Sequence, residues 1–262
     1  MAGRANARVM GSLSPAVFGL LIANGIVFAI GVLGPEMNDR MVGRFAFWFP
    51  RNEQFAWWQV VTYMFMHGNI GHIFFNMFGL ISFGVHLERQ WGSRKFLVFY
   101  FLCGIGAGVI SGSVNWVEFQ TIHERLVQAG FSAPDLEAML ETGHYRGTLG
   151  DPAMKAAMVD LYGLYHGHMV GASGAIYGIL VAFGLLYPNA KLALLFLPVP
   201  IAAKFFIPVL LALDLFSGVT GFSLFGGGIA HFAHLGGALI GFLLMWHWRS
   251  QARRSAAAWE QE

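Results

Sequence analysis

From Met169 to Tyr187 the chain carries no charged side chain. At about 1.5 Å of rise per residue, a helix of that length crosses most or all of a hydrocarbon layer roughly 30 Å thick. Such a segment restricts the whole chain, because backbone entering lipid must satisfy its own hydrogen bonds as helix or closed barrel. Further apolar segments accompany it, and the predicted spans are 13–33, 72–85, 96–111, 169–187, 205–219 and 229–248. Composition agrees: of 262 residues 56% are hydrophobic and 11% charged, where soluble domains carry about 25% charged residues. Mean hydropathy is +0.57. The expected fold class is an all-α membrane protein, a six-helix transmembrane bundle forming a single domain over residues 1–262, with helical outer loops.

Arg4 and Arg8 precede the first apolar segment, which is longer than the apolar core of a signal peptide and is read as a retained span. Lys and Arg near the span ends then fall on one side: Arg4 and Arg8, Arg89 to Lys95, Lys191 and Lys204, and Arg249 to Arg254. That side is the cytoplasm and both termini lie in it. The opposite side receives a long, net acidic loop, 112–168, in which 115–128 and 134–140 read as short amphipathic helices. A formal net charge of +2 without a basic run argues against a nucleic-acid partner. Cys103 is the only cysteine, so no intrachain disulfide forms.

The topology brings polar residues to one depth. His72 and Asn76 open the second span, Ser173 the fourth, and His231 with His234 the sixth, each from the outer side. Intramembrane polar groups are functional-site candidates by default. His72 and Asn76 are four apart, hence on one helix face. Gly174 and Gly178 lie just below Ser173, and Gly237 and Gly241 just below His234; small residues at this spacing let two helices approach closely. The serine between glycines is by itself compatible with packing alone, but a close approach of these helices makes a Ser–His hydrogen bond possible. Histidine is the side chain suited to take a serine proton near neutral pH. His72, Asn76 and the Ser173 backbone N–H are candidate oxyanion donors. No Asp or Glu lies near the outer ends of spans two, four or six, so Tyr177 is expected to orient the imidazole by stacking. Asp214, inside span five, reads as hydrogen-bonded within the bundle.

His72-x-x-x-Asn76, Gly171-x-Ser173-Gly174 with Tyr177, and Ala233-His234-x-x-Gly237-x-x-x-Gly241 resemble, in that order, the motifs of the rhomboid intramembrane serine proteases. The resemblance runs from about Trp58 to Trp246. It includes the Glu88-Arg89-x-x-Gly92-Ser93 turn and the Leu195-Phe196-x-Pro198-x-Pro200 stretch of many bacterial members. It implies a cofactor-free, metal-free Ser–His dyad endopeptidase that cleaves transmembrane protein substrates near the outer face of a lipid bilayer, here a bacterial inner membrane. By position, Ser173 is the nucleophile and His234 the general base; His72 and Asn76 line the oxyanion hole, Gly171 contributes backbone at the substrate site, and Tyr177 packs on the base. His231 becomes an interfacial neighbour. Where many members have Trp-Arg before span two, this chain has Trp58-Gln59, and its 112–168 loop is long for a bacterial member.

Competing readings fare worse. A metalloprotease needs a His-Glu-x-x-His pair, which is absent. The outer histidines His144, His166 and His168 lack a fixed ligand spacing. A transporter would favour repeated halves with ionisable residues at mid-depth, and only Asp214 fits that. A catalytically dead relative acting as a binding protein or chaperone is opposed by the retention of both Ser173 and His234.

Overall fold

The computed structural model describes residues 14–145, 150–194, 197–222 and 229–259. Arg4, Arg8 and Leu13 lie outside the described residues, as do Leu195 and Phe196 of the proline-rich stretch. The first helix, α1, spans Pro15–Gly31 and α2 spans Pro35–Phe45, each opened by a proline whose missing N–H costs nothing at a helix start. The start of α1 is closed by a carboxylate from elsewhere in the chain: the buried Glu88 accepts the N–H groups of Ala16 and Val17 at 2.8 and 2.9 Å. Ser93 Oγ donates to the same carboxylate at 2.6 Å. The Glu88–Ser93 turn therefore clamps two helices together, and Gly92 at φ 77° permits its reversal.

A short helix, α3 (Gln59–Thr62), and a 3-10 turn lead into α4, Ile70–Gly79, capped by the Asn69 side chain accepting from His72 N at 2.8 Å. A π turn over Leu80–Gly84 passes into α5, Val85–Trp91. Together they make a continuous apolar helix from Ile70 to Trp91, long enough to cross a membrane. The next helix, α6, runs without a break over Ser93–Gln128. The sequence reading ends a span at Ser111 and starts a separate helix at Asn115; the structure joins them, because nothing after Gly112 and before Gly130 breaks a helix. At 1.5 Å per residue α6 is roughly 50 Å long, so its second half projects beyond a hydrocarbon layer of roughly 30 Å. There it packs with α7 (Ala133–Thr142) and α8 (Pro152–His166) over a second core of Phe49, Phe119, Leu126, Leu136, Leu140 and Leu161.

Two strands of two residues, β1 (Phe47–Trp48) and β2 (His168–Met169), pair antiparallel and tie the segment before α3 to the end of the outer loop. The chain then enters α9, Ser173–Leu186, from which Gly174 to Ile176 and Gly178 to Phe183 are buried. A helix apolar on every face belongs in the middle of a bundle, and α9 packs against α6, the π turn, and the last two helices. A hairpin of β3 (Lys191–Leu194) and β4 (Leu197–Ala202) precedes α10, Ala203–Thr220, which leads to α11, His231–Trp259. Phe18, Ile26, Phe74, Leu102, Phe216 and Trp246 are exposed on the flanks of these helices, an apolar surface suited to lipid. The architecture is a helical membrane bundle with two small added ladders, and the protein is an integral membrane protein.

Candidate active site

Ser173 is the first residue of α9, reached through Gly171 at φ 123° and the buried Ala172. That φ is strained for any side chain other than glycine. Gly171 N donates to the Tyr63 carbonyl at 2.9 Å, which fixes the turn against the 3-10 segment. A side-chain carbon at Gly171 would lie 2.6 Å from His72 Nε2 and 3.7 Å from Ser173 Oγ. The glycine thus keeps clear one small volume bordered by His72 and Ser173.

His234 stands on α11, one turn in from His231. The two helices meet through glycine: a Cβ on Gly241 would lie 2.7 Å from Gly178 Cα, and one on Gly237 would collide with the Gly174 carbonyl. At the level set by that contact, His234 Nε2 lies 2.9 Å from Ser173 Oγ. The Tyr177 ring stacks on the His234 ring, centroids 4.1 Å apart and planes at 11°. The stacking expected from the sequence is present.

A third group reaches the imidazole. Asp214 on α10 accepts from His234 Nδ1 at 3.1 Å and from His231 Nδ1 at 2.6 Å, both at Oδ1, and Tyr177 OH donates to Oδ2. The sequence reading looked for a carboxylate at the outer ends of the spans bearing the motifs and found none. Asp214 comes instead from the neighbouring span, buried at 6% exposure. His231, read as an interfacial neighbour, faces the same carboxylate. The signal available in the sequence was depth: Asp214 sits about two turns below the outer end of α10, close to the level of His234 one turn into α11.

These contacts determine tautomers. An ionised carboxylate only accepts, so His234 Nδ1 carries the proton and Nε2 offers its lone pair to Ser173 Oγ–H. His72 Nδ1 accepts from Gly68 N at 3.4 Å, so its Nε2 carries the proton, next to Gly171. Asn76 is buried one turn deeper, its Nδ2 donating to the His72 carbonyl at 2.9 Å with one N–H hydrogen remaining. The arrangement can move a proton from serine to imidazole and present an N–H beside the serine.

Asp214, His231 and His234 are also the side chains, among the described residues, whose donor atoms lie within 4.8 Å of one another in a metal-ligand set. Hydrogen bonds engage both carboxylate oxygens of Asp214, Nδ1 of His231 and both ring nitrogens of His234. Two of the three outer histidines are otherwise engaged: His166 Nε2 pairs with the Leu140 carbonyl at 2.7 Å, and the His168 ring packs on Trp48 at 4.7 Å. Burial at the mouth of the bundle pushes the His168 pKa down. A cavity of about 650 Å³ opens beside His231, bordered by Trp48, Ser111, His168, Ser217 and Phe232.

Fold and site together define a polytopic helical membrane protein with a hydrogen-bonded serine–histidine pair at the head of its central helix. The chain belongs to the rhomboid family: a family model, Rhomboid domain, matches residues 54–133 and 147–251. It is similar to Rhomboid-like protein 16, chloroplastic, of Arabidopsis thaliana, 28% identical over 71% of this chain and 49% of that protein. Rhomboid protease GluP of Bacillus subtilis is 38% identical over 22% of this chain and 11% of its own length. Inactive RHOMBOID-like protein 8 of Arabidopsis thaliana is 33% identical over 28% of this chain and 21% of its own. The chain spans about half the length, or less, of these relatives.

Proposed function

We propose that the protein is an intramembrane serine endopeptidase that hydrolyses peptide bonds in or near transmembrane segments of membrane-protein substrates. The observation that carries the reading is the 2.9 Å contact of Ser173 Oγ with His234 Nε2. Ser173 Oγ attacks the scissile carbonyl carbon while its proton passes to His234 Nε2, and the oxyanion is met by His72 Nε2–H, the Ser173 N–H and the remaining Asn76 N–H. His234 then gives the proton to the leaving amine as the C–N bond breaks. Water, deprotonated by His234, then attacks the acyl carbon, and Ser173 Oγ leaves with that proton to restore the hydroxyl. A helical substrate is already hydrogen-bonded along its backbone, so segments easily unwound by Gly or Pro are favoured. Neither metal nor cofactor has a part in these steps. The charge pattern supports both termini in the cytoplasm, and the motif pattern supports a bacterial inner membrane.

The test is cleavage of a model single-span protein by the full chain in liposomes, with labelling by a fluorophosphonate probe. Parent protein is expected to cleave and to be labelled, and Ser173→Ala to do neither. Cleavage by Ser173→Ala at the parental rate would remove the assignment. A folded parent that neither cleaves nor is labelled would make the chain a binding member of the family instead.

A further inference from the structure

We propose that Asp214 is the positioning residue of the His234 base, so that Ser173, His234 and Asp214 form a three-residue relay contributed by α9, α11 and α10. This rests on the protease reading and goes beyond the Ser–His dyad that the family motifs carry.

The carboxylate is buried among apolar helices, where an ion is costly unless its lone pairs are engaged. Here three donors reach it from two helices: His231 Nδ1 at 2.6 Å and His234 Nδ1 at 3.1 Å on Oδ1, and the Tyr177 hydroxyl on Oδ2. The ionisable groups bordering the His234 ring are thus Asp214 from α10, His231 from α11, Tyr177 and Ser173 from α9, and His72 from α4. Of these only Asp214 accepts at Nδ1. Neutral imidazole exists in two tautomers, and only the one protonated at Nδ1 leaves Nε2 free to take the serine proton. When that proton arrives the ring becomes a cation, and the anion beside Nδ1 stabilises it. Stacking by Tyr177 holds the ring plane but does not distinguish the two nitrogens. Tyr177 and His231 therefore act through Asp214: each pins one carboxylate oxygen, so that Oδ1 stays turned toward His234.

A purely structural Asp214, one that only ties α10 to the bundle, makes a different prediction. Asparagine has the same shape and keeps an acceptor for one donor, so a tie would survive the substitution in large part. A proton-orienting carboxylate would not, since the amide can turn its NH2 toward Nδ1 and stabilise the wrong tautomer. Loss of the equivalent charge in other serine proteases costs about 10⁴ in kcat.

The experiment measures kcat, KM and thermal unfolding for the full chain in liposomes with the single-span substrate, comparing the parent with Asp214→Asn, Asp214→Glu and Ser173→Ala. Asp214→Asn is expected to keep KM within about threefold and to lose roughly 10²–10⁴ in kcat. Asp214→Glu, which restores the charge at a shifted position, is expected to regain at least about tenfold over asparagine. If asparagine does not fold, Asp214→Ala decides: kcat lowered by roughly 10²–10⁴ at unchanged KM supports the relay, and kcat within threefold of the parent overturns it. Asp214→Asn with kcat within threefold of the parent overturns it, as does a loss shared equally by both variants and matched by lowered unfolding temperature. An inactive Ser173→Ala beside a fully active Asp214→Asn leaves the protease reading standing and removes only the relay. An active Ser173→Ala removes the reading itself.

Discussion

Gly237 on α11 packs its α-carbon directly against the Gly174 carbonyl of α9, leaving no room for even one methyl group. The same contact sets the height at which His234 meets Ser173. Overpacking a well-filled core costs about 1–3 kcal/mol and more where the obstacle is backbone. Gly237→Ala is therefore expected to abolish probe labelling and to lower the unfolding temperature. Gly19→Ala, on α1 with nothing within 4 Å of the new carbon, is expected to leave labelling intact and to stabilise α1 by about 0.5–1 kcal/mol. Equal labelling of the Gly237 variant and the parent would separate helix approach from the site.

Hydropathy and spacing carry the helical bundle and the serine–histidine pair, because both are written locally. Apolar runs mark the helices, and Gly174 with Gly178 and Gly237 with Gly241 mark the facing sides. What was not legible depends on elements distant in the chain. The second half of α6 loses its apolar character beyond Ser111, so hydropathy ends the helix where the lipid ends; only burial of Phe119 and Leu126 under α7 and α8 shows why it continues. The start of α8 carried a signal that went unused, Asp151 capping Ala153 N at 2.8 Å ahead of Pro152. Asp214 reaches His234 only because α10 and α11 lie side by side, which no motif within either helix records.

Gln59 stands where many rhomboids have arginine, and it is fully buried. Its Oε1 accepts from Ala56 N at 3.1 Å and Trp48 N at 3.3 Å, while Nε2 donates to the Gln54 carbonyl at 2.7 Å. It thereby holds the aromatic segment between α2 and α3. Gln59→Ala leaves buried backbone groups unpaired and is expected to cost about 2–4 kcal/mol, at roughly 1 kcal/mol per bond. Gln59→Arg is expected to destabilise as well, since guanidinium has no acceptor for the two N–H groups. Thermal unfolding in detergent reads both; an arginine variant as stable as the parent would refute the acceptor role.

His67, in the turn before α4, has its pKa pushed down to about 4, first by burial and then by His72, whose ring centroid is 5.0 Å away. The folded chain keeps it neutral in a range where the unfolded chain, with a pKa of about 6.5, takes up a proton. Stability is full above about pH 6.5 and declines as pH falls toward 4, by roughly 1.4 kcal/mol per unit across that window. Unfolding temperatures of the parent and His67→Asn between pH 7 and pH 4.5 check this. The parent is expected to lose more on acidification than the variant, and parallel declines would count against it.

The two side chains proposed as oxyanion donors are unequal, because one of them is already engaged. Asn76 Nδ2 donates to the His72 carbonyl at 2.9 Å, so a single hydrogen is left to turn toward the substrate. His72 Nε2–H has no such commitment, its ring being held from behind by Gly68 N on Nδ1. Removing one oxyanion donor typically costs about 10²–10³ in kcat. His72→Ala is expected to fall in that range, and Asn76→Ala at or below it, since alanine there also frees the His72 carbonyl at the helix start. Steady-state rates on the single-span substrate settle the order. A larger loss in kcat for Asn76→Ala than for His72→Ala, with both variants folded, would mean that Asn76 turns both hydrogens to the oxyanion and gives up its bond to the helix when substrate binds.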